Sequence, residues 1–118
     1  MISYEHTLAV VPVRDIATAR DWYTKLFGRE PDNNPMPVLV EWQVTTDGWV
    51  QVSEDASRAG HGVANLAVAD LEEAIGDLGR RGLSPGAIVD ASKGVRLSEL
   101  VDPDGNTITL IGGFRVDY

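Results

Sequence analysis

Apolar and polar positions follow two rhythms along this chain, and the rhythm changes at turn residues. Residues 7–13 are apolar and rich in β-branched side chains, which predicts a strand. Asp15 is a suitable N-cap for a helix running to about Phe27, in which Ile16, Ala19, Tyr23 and Leu26/Phe27 recur at helical spacing. Gly28 stops it. Pro31, Asp32, Asn33, Asn34, Pro35 and Pro37 read as a loop. Residues 38–44 and 49–53 read as two strands joined by the hairpin turn Thr45-Thr46-Asp47-Gly48. Residues 54–60 are polar and small and form the natural linker.

Beyond the linker the pattern restarts. Residues 61–69 predict a strand. Asp70 caps a second helix, supported by Glu73 in a capping-box-like arrangement, with Leu71, Ala74, Ile75 and Leu78 on its apolar face. Gly82 ends that helix, and Ser84-Pro85-Gly86 turns away from it. Short strands are predicted over residues 87–90 and 95–101. The turn Asp102-Pro103-Asp104-Gly105 then feeds a last strand over residues 106–111. His6 precedes Asp15 by nine residues and His61 precedes Asp70 by nine. Pro31 and Pro85 each lie three residues beyond a helix-ending glycine. The chain therefore reads as one domain of two repeats, about 1–56 and 60–118. One such unit cannot cover both faces of its sheet, whereas two packed together can.

Composition narrows the function. With 43% hydrophobic and 24% charged residues over 118 positions, the chain reads as globular. No apolar run reaches the ~18 residues of a membrane span. No signal peptide is visible in the first residues, and the expectation is a cytoplasmic protein. Cysteine is absent, which excludes disulfides, thiolate metal sites and a cysteine nucleophile. A net charge of −8 argues against nucleic acid or an anionic membrane as partner and permits a cationic small ligand.

Three phrases carry a family resemblance. The first is Val11-Pro12-Val13-Arg14-Asp15 leading to Asp21-Trp22-Tyr23 and Leu26-Phe27-Gly28. The second is Leu66-Ala67-Val68-Ala69-Asp70-Leu71 leading to Gly82. The third is Asp102-Pro103-Asp104-Gly105-Asn106. In this order they resemble the vicinal oxygen chelate superfamily: glyoxalase I, extradiol dioxygenases, and fosfomycin- and bleomycin-resistance proteins. The resemblance implies an α+β fold of two tandem βαβββ modules whose curved mixed sheets pair around a cavity. It also implies a homodimer in which subunits share cavities. Metal-dependent members place four His or Glu ligands on the cavity face, where the ion polarises a substrate with two adjacent oxygens. By this register those positions fall on Leu8, Gln51, Val63 and Thr109. Leu and Val have no donor atoms, and Thr and Gln are weak neutral ones, so the expectation is no metal cofactor.

His6 and His61 each lie two residues before an expected ligand position, on the same strand face and about 6.5–7 Å away. They read either as exposed strand-end histidines or as ligands of a displaced metal site with Glu41 or another carboxylate. Strand parity puts Val50 and Val52 on the helix side and assigns further cavity residues: Val10, Asn65, Ala67, Thr107, Ile111, Trp49 and Ser53. Residues 38–44 have two readings, of which the one that buries Val40, Trp42 and Val44 against the helix is preferred and adds Leu39, Gln43 and at most one acid, Glu41. A carboxylate near Trp49 can bind a cation with a cation–π contact, or act as a general base, which makes Glu41 the candidate catalytic residue. The candidate ligand-binding set is His6, Leu8, Glu41, Gln43, Trp49, Gln51, His61, Val63, Asn65 and Thr109. Arg96 reads as an anion anchor or a solvated strand charge, and Trp22 and Trp42 as core. Two functions remain open beside the bland reading of an interaction protein whose cavity has collapsed. One is a metal-independent protein of the bleomycin-resistance kind, sequestering an aromatic or cationic ligand and conferring antibiotic resistance. The other is an enzyme of the superfamily, a lyase, isomerase or dioxygenase-like protein with a displaced or absent metal site.

Overall fold

The computed structural model describes residues 1–117; Tyr118, the last residue of the second predicted repeat, lies outside the described residues. The first half contains β1 (Thr7–Val13), α1 (Ile16–Phe27), β2 (Asn33–Met36), β3 (Leu39–Gln43) and β4 (Gly48–Glu54). The second half repeats the order with β5 (Val63–Val68), α2 (Leu71–Arg80), β6 (Val89–Asp90), β7 (Arg96–Val101) and β8 (Thr107–Gly112). Each half forms a four-stranded mixed sheet, ordered β1-β4-β3-β2 in one and β5-β8-β7-β6 in the other. β1 pairs parallel with β4 and β5 parallel with β8, while the remaining pairs are antiparallel. The sheets are open and not hydrogen-bonded to each other. Among the described residues no helix is long and apolar enough to cross a membrane.

Local chemistry explains the elements. Asp15 accepts a hydrogen bond from the Ala17 amide, and Asp70 one from the Glu73 amide, so both predicted N-caps form. Gly28 closes α1 in the left-handed region, with φ of 74°. The predicted loop over residues 31–37 is in part the short edge strand β2. Asn33 pairs with Glu41 and Met36 with Leu39, with an irregular register between them. Pro35 interrupts that strand, which is tolerated at a sheet edge where an amide need not pair inward.

Period-two alternation sets which face of each sheet meets the helices. Val11, Val13, Val40, Trp42, Val50 and Val52 are buried with Ala19, Tyr23 and Leu26 of α1. Ala64, Leu100, Ile108 and Leu110 do the same beside Leu71 and Leu78 of α2. Each fully buried large apolar side chain contributes roughly 1.5–3 kcal/mol. Trp42 is core, as predicted, and its indole Nε1 donates to the Arg29 carbonyl at 2.9 Å. Trp22 is partly buried against the same core.

Two junctions hold the halves together. Asn106 is fully buried, and its Nδ2 donates to the Pro12 carbonyl at 2.7 Å and to Asp102 Oδ2 at 2.8 Å. Its Oδ1 accepts from the Gly62 amide at 2.7 Å. Asp102 Oδ1 accepts from the amides of Asp104 and Asn106, and its Oδ2 also accepts from the Tyr23 hydroxyl at 2.8 Å. Burial, then the Asp102 carboxylate, pushes the Tyr23 hydroxyl far above the ordinary tyrosine range. At the second junction Arg81, just past α2, reaches the other half. Its Nη1 donates to the carbonyls of Lys25 and Leu26, the C-terminal turn of α1. Glycine is needed at position 28 for its φ, and a Cβ there would lie 2.8 Å from the Arg81 Cζ and push that guanidinium aside.

Candidate functional site

The face of each sheet turned away from the helices is open. Leu8, Val10 and Val63 are 46%, 56% and 68% exposed, an uncommon state for apolar strand residues. Cross-strand register lines the first sheet's open face with the row Val10, Gln51, Glu41 and Asn33. In that row Glu41 Oε1 accepts from Asn33 Nδ2 at 3.0 Å, and Oε2 accepts from Gln51 Nε2 at 2.8 Å. Glu41 is thus fixed in orientation by two neutral amides, and among the described residues it has no ion-pair partner. One pair along, Trp49 lies opposite Gln43 on the same face. The His6 and Trp49 rings meet in a T-shaped arrangement with centroids 6.4 Å apart. Gln43 is anchored by its Nε2 to the Thr46 carbonyl.

The second sheet repeats the row as Asn65, Thr109 and Glu99. Val10 and Asn65 hold equivalent places, as do Gln51 and Thr109, so Glu99 is the counterpart of Glu41. The expectation of at most one acid on this surface is therefore corrected. Ser98 and Leu100 are buried, which turns Glu99 to the open face. The same alternation in residues 97–101, set against the first repeat, was the signal available in the sequence. Arg96, also on β7, forms an ion pair with Glu72 on α2. The hydrogen bond and charge of Glu72 raise the Arg96 guanidinium further, and the hydrogen bond from Arg96 lowers the Glu72 carboxyl.

The four positions where the resemblance would put a metal do not fit a divalent ion in this chain. Leu8 and Val63 carry no donor, the Gln51 amide is engaged with Glu41, and Thr109 offers a hydroxyl. His6 and His61 are exposed at strand approaches. Among the described residues no three His, Asp or Glu side chains cluster to hold an ion.

A separate cleft of about 590 Å³ opens between the two halves. It includes Gln43, Trp49 and Asn65 from the predicted binding set, and leaves out His6, Leu8, Glu41, Gln51, His61, Val63 and Thr109. The predicted residues therefore divide between an extended open face and one end of an inter-half cleft. Sequence parity did not find the cleft, because its walls also include helix-side residues such as Leu66 and Leu78.

A scan against protein-family models finds no match, and neither does a search of curated proteins. Solved structures do match. A glyoxalase/bleomycin resistance protein from Catenulispora acidiphila is 30% identical, over 91% of this chain and 96% of that one, with a TM-score of 0.85. An antibiotic binding protein from a Streptomyces species shares the fold at 22% identity and a TM-score of 0.77, over 95% of this chain and 98% of that one. So does an integron cassette protein from the mobile metagenome of a Halifax Harbour sewage outfall, at 17% identity and 0.76, over 91% and 97%. Two modules in matching strand order, joined at the Asp102–Asn106 turn, and a relative of this identity over nearly its whole length establish that the chain belongs to the glyoxalase/bleomycin resistance protein family of the vicinal oxygen chelate superfamily.

Proposed function

We propose that this protein sequesters an aromatic or cationic small molecule on the open face of its sheets, without a metal, in a cavity completed by a second copy of the chain. The observation that carries the reading is Glu41. Its carboxylate is oriented by Asn33 and Gln51 and left without a cation, on the same face as Trp49. A ligand cation supplies the missing charge, and the indole adds a cation–π contact. Leu8 and Val63, in place of ligating residues, make the surrounding surface apolar rather than metal-binding. Exposed Leu8, Val10 and Val63 favour burial against a second copy over solvation. The antibiotic binding protein that shares this fold is a precedent for binding as the end function.

The test is a fluorescence titration with proflavine, a planar aromatic cation, alongside sedimentation to follow assembly. Saturable binding is expected, and Glu41→Gln should weaken it by about five- to thirtyfold, the equivalent of roughly 1–2 kcal/mol. Binding that is indifferent to Glu41→Gln overturns the assigned role of Glu41. Stoichiometric zinc binding that depends on His6 overturns the metal-free reading.

A further inference from the structure

We propose that the inter-half cleft is a second binding site, for a small amphipathic anion whose apolar body lies between α1 and α2 and whose anionic head meets Arg81. The inference does not rest on the role assigned to Glu41, and the cleft meets the open face at Gln43, Trp49 and Asn65 but does not include Glu41. Its volume of about 590 Å³ lies within the ~300–1,000 Å³ of small-molecule sites. The walls are apolar, with Leu26 and Phe27 from α1, Ala74 and Leu78 from α2, and Val50 and Leu66 from the sheets. Such walls take an aliphatic or aromatic body.

The charge at the rim decides the head group. Arg14, Arg20, Arg29, Arg58, Arg80 and Arg96 each form an ion pair with an aspartate or glutamate. Arg81, which lines the cleft, forms none among the described residues; its hydrogen bonds run from Nη1 to two main-chain carbonyls. In a chain with 18 acidic residues, a guanidinium at a cleft without a carboxylate partner is unusual. Its remaining donors suit a carboxylate or sulfonate, to which arginine binds through a fork of parallel hydrogen bonds. The carboxylate that also lines the cleft, Asp77, is engaged with Arg80. The other arginine at the rim, Arg29, is held by Asp32 at 2.7 Å and by the Gln43 carbonyl at 2.6 Å, and it adds positive potential without being free to move.

Isothermal titration with decanoate tests this, with decyltrimethylammonium as the control of opposite charge. Decanoate should bind saturably and at least tenfold more tightly than the ammonium. Arg81→Gln should remove most of that preference, Arg81→Lys should restore part of it, and Ala74→Phe should abolish decanoate binding by filling the cleft. Circular dichroism of each variant confirms that the fold is retained. Proflavine binding should be unchanged in Arg81→Gln, which separates this site from the open face. Absence of saturable decanoate binding, equal affinity for the two amphiphiles, or an Arg81→Gln variant that binds decanoate as the parent does would each overturn the proposal.

Discussion

Replacing Asn106 by alanine tests whether the Asp102–Asn106 turn is the clasp between halves. The side chain is fully buried and makes three hydrogen bonds: to the Pro12 carbonyl, from the Gly62 amide and to Asp102. Alanine leaves the Pro12 oxygen and the Gly62 amide with no replacement partner in the protein. A buried group stripped of its partner costs about 1–3 kcal/mol, and the small void adds to this, so a loss of roughly 3–5 kcal/mol is expected. Domains carry ~0.05–0.15 kcal/mol per residue, so 118 residues correspond to about 6–18 kcal/mol in total. The substitution therefore removes a large share without necessarily unfolding the chain. Urea denaturation followed by tryptophan fluorescence should show the midpoint fall with little change in slope. Asn106→Asp separates the hydrogen bonds from the volume. The new carboxylate can still accept from Gly62, but it faces Asp102 Oδ2 and the Pro12 carbonyl where a donor belongs. Its cost should be at least as large at neutral pH and should shrink in acid, where one proton shared between the two carboxyls relieves the repulsion. A loss below about 1 kcal/mol for alanine, or a cost for aspartate that does not vary with pH, would refute the clasp.

The remaining predictions concern neighbouring contacts. Gly28→Ala should destabilise by roughly 1–3 kcal/mol in thermal melts, since it sets a Cβ at a positive φ and displaces the Arg81 guanidinium; a neutral result would refute the strain assigned to the positive φ. Tyr23 is raised in the folded state, so its contribution is complete below its unfolded value near pH ~10 and declines above it, as only the unfolded chain ionises. Tyr23→Phe should accordingly lose about 1–2 kcal/mol at neutral pH yet flatten the alkaline fall in stability; an unchanged alkaline slope would refute the raised hydroxyl, and a loss near zero at neutral pH would count against the Asp102 contact.

The helices and their ends were legible in the sequence because their causes are local. Asp15 and Asp70 bond to amides two or three residues away, and Gly28 needs only its own φ. The assignment of Val40, Trp42, Val50 and Val52 to the helix side was equally legible, since period-two alternation fixes a face once one member is placed. β2 was not, because Pro31, Pro35 and Pro37 give it the composition of a loop and only pairing with β3 makes it a strand. Arg81 shows the same limit. Beside Arg80 at the end of α2 it reads as serving its own helix dipole, whereas in three dimensions it caps α1, 56 residues away from Lys25 in sequence. The cleft beside it lies between two helices and two sheets, and no periodicity within one element reports it.

The two halves agree in their scaffolding and part company on the open face. Both use an aspartate N-cap, both end their helices near a glycine of positive φ, and both place a glutamate on the third strand opposite the fourth. Yet Glu41 is bracketed by Asn33 and Gln51, while Glu99 faces Thr109 and is exposed without a side-chain partner among the described residues. A fixed carboxylate selects by geometry, because its acceptor directions are set before a ligand arrives, and a free one contributes charge with little direction. In the proposed cavity, pairing the first sheet of one copy with the second sheet of another would set one acid of each kind toward the same ligand. Discrimination among cations should then rest on Glu41, and general attraction on both. Glu99→Gln should lower affinity for proflavine and for simpler aromatic cations by similar factors, whereas Glu41→Gln should change the ratio between them; equal changes of ratio in the two variants would rule out this division of labour.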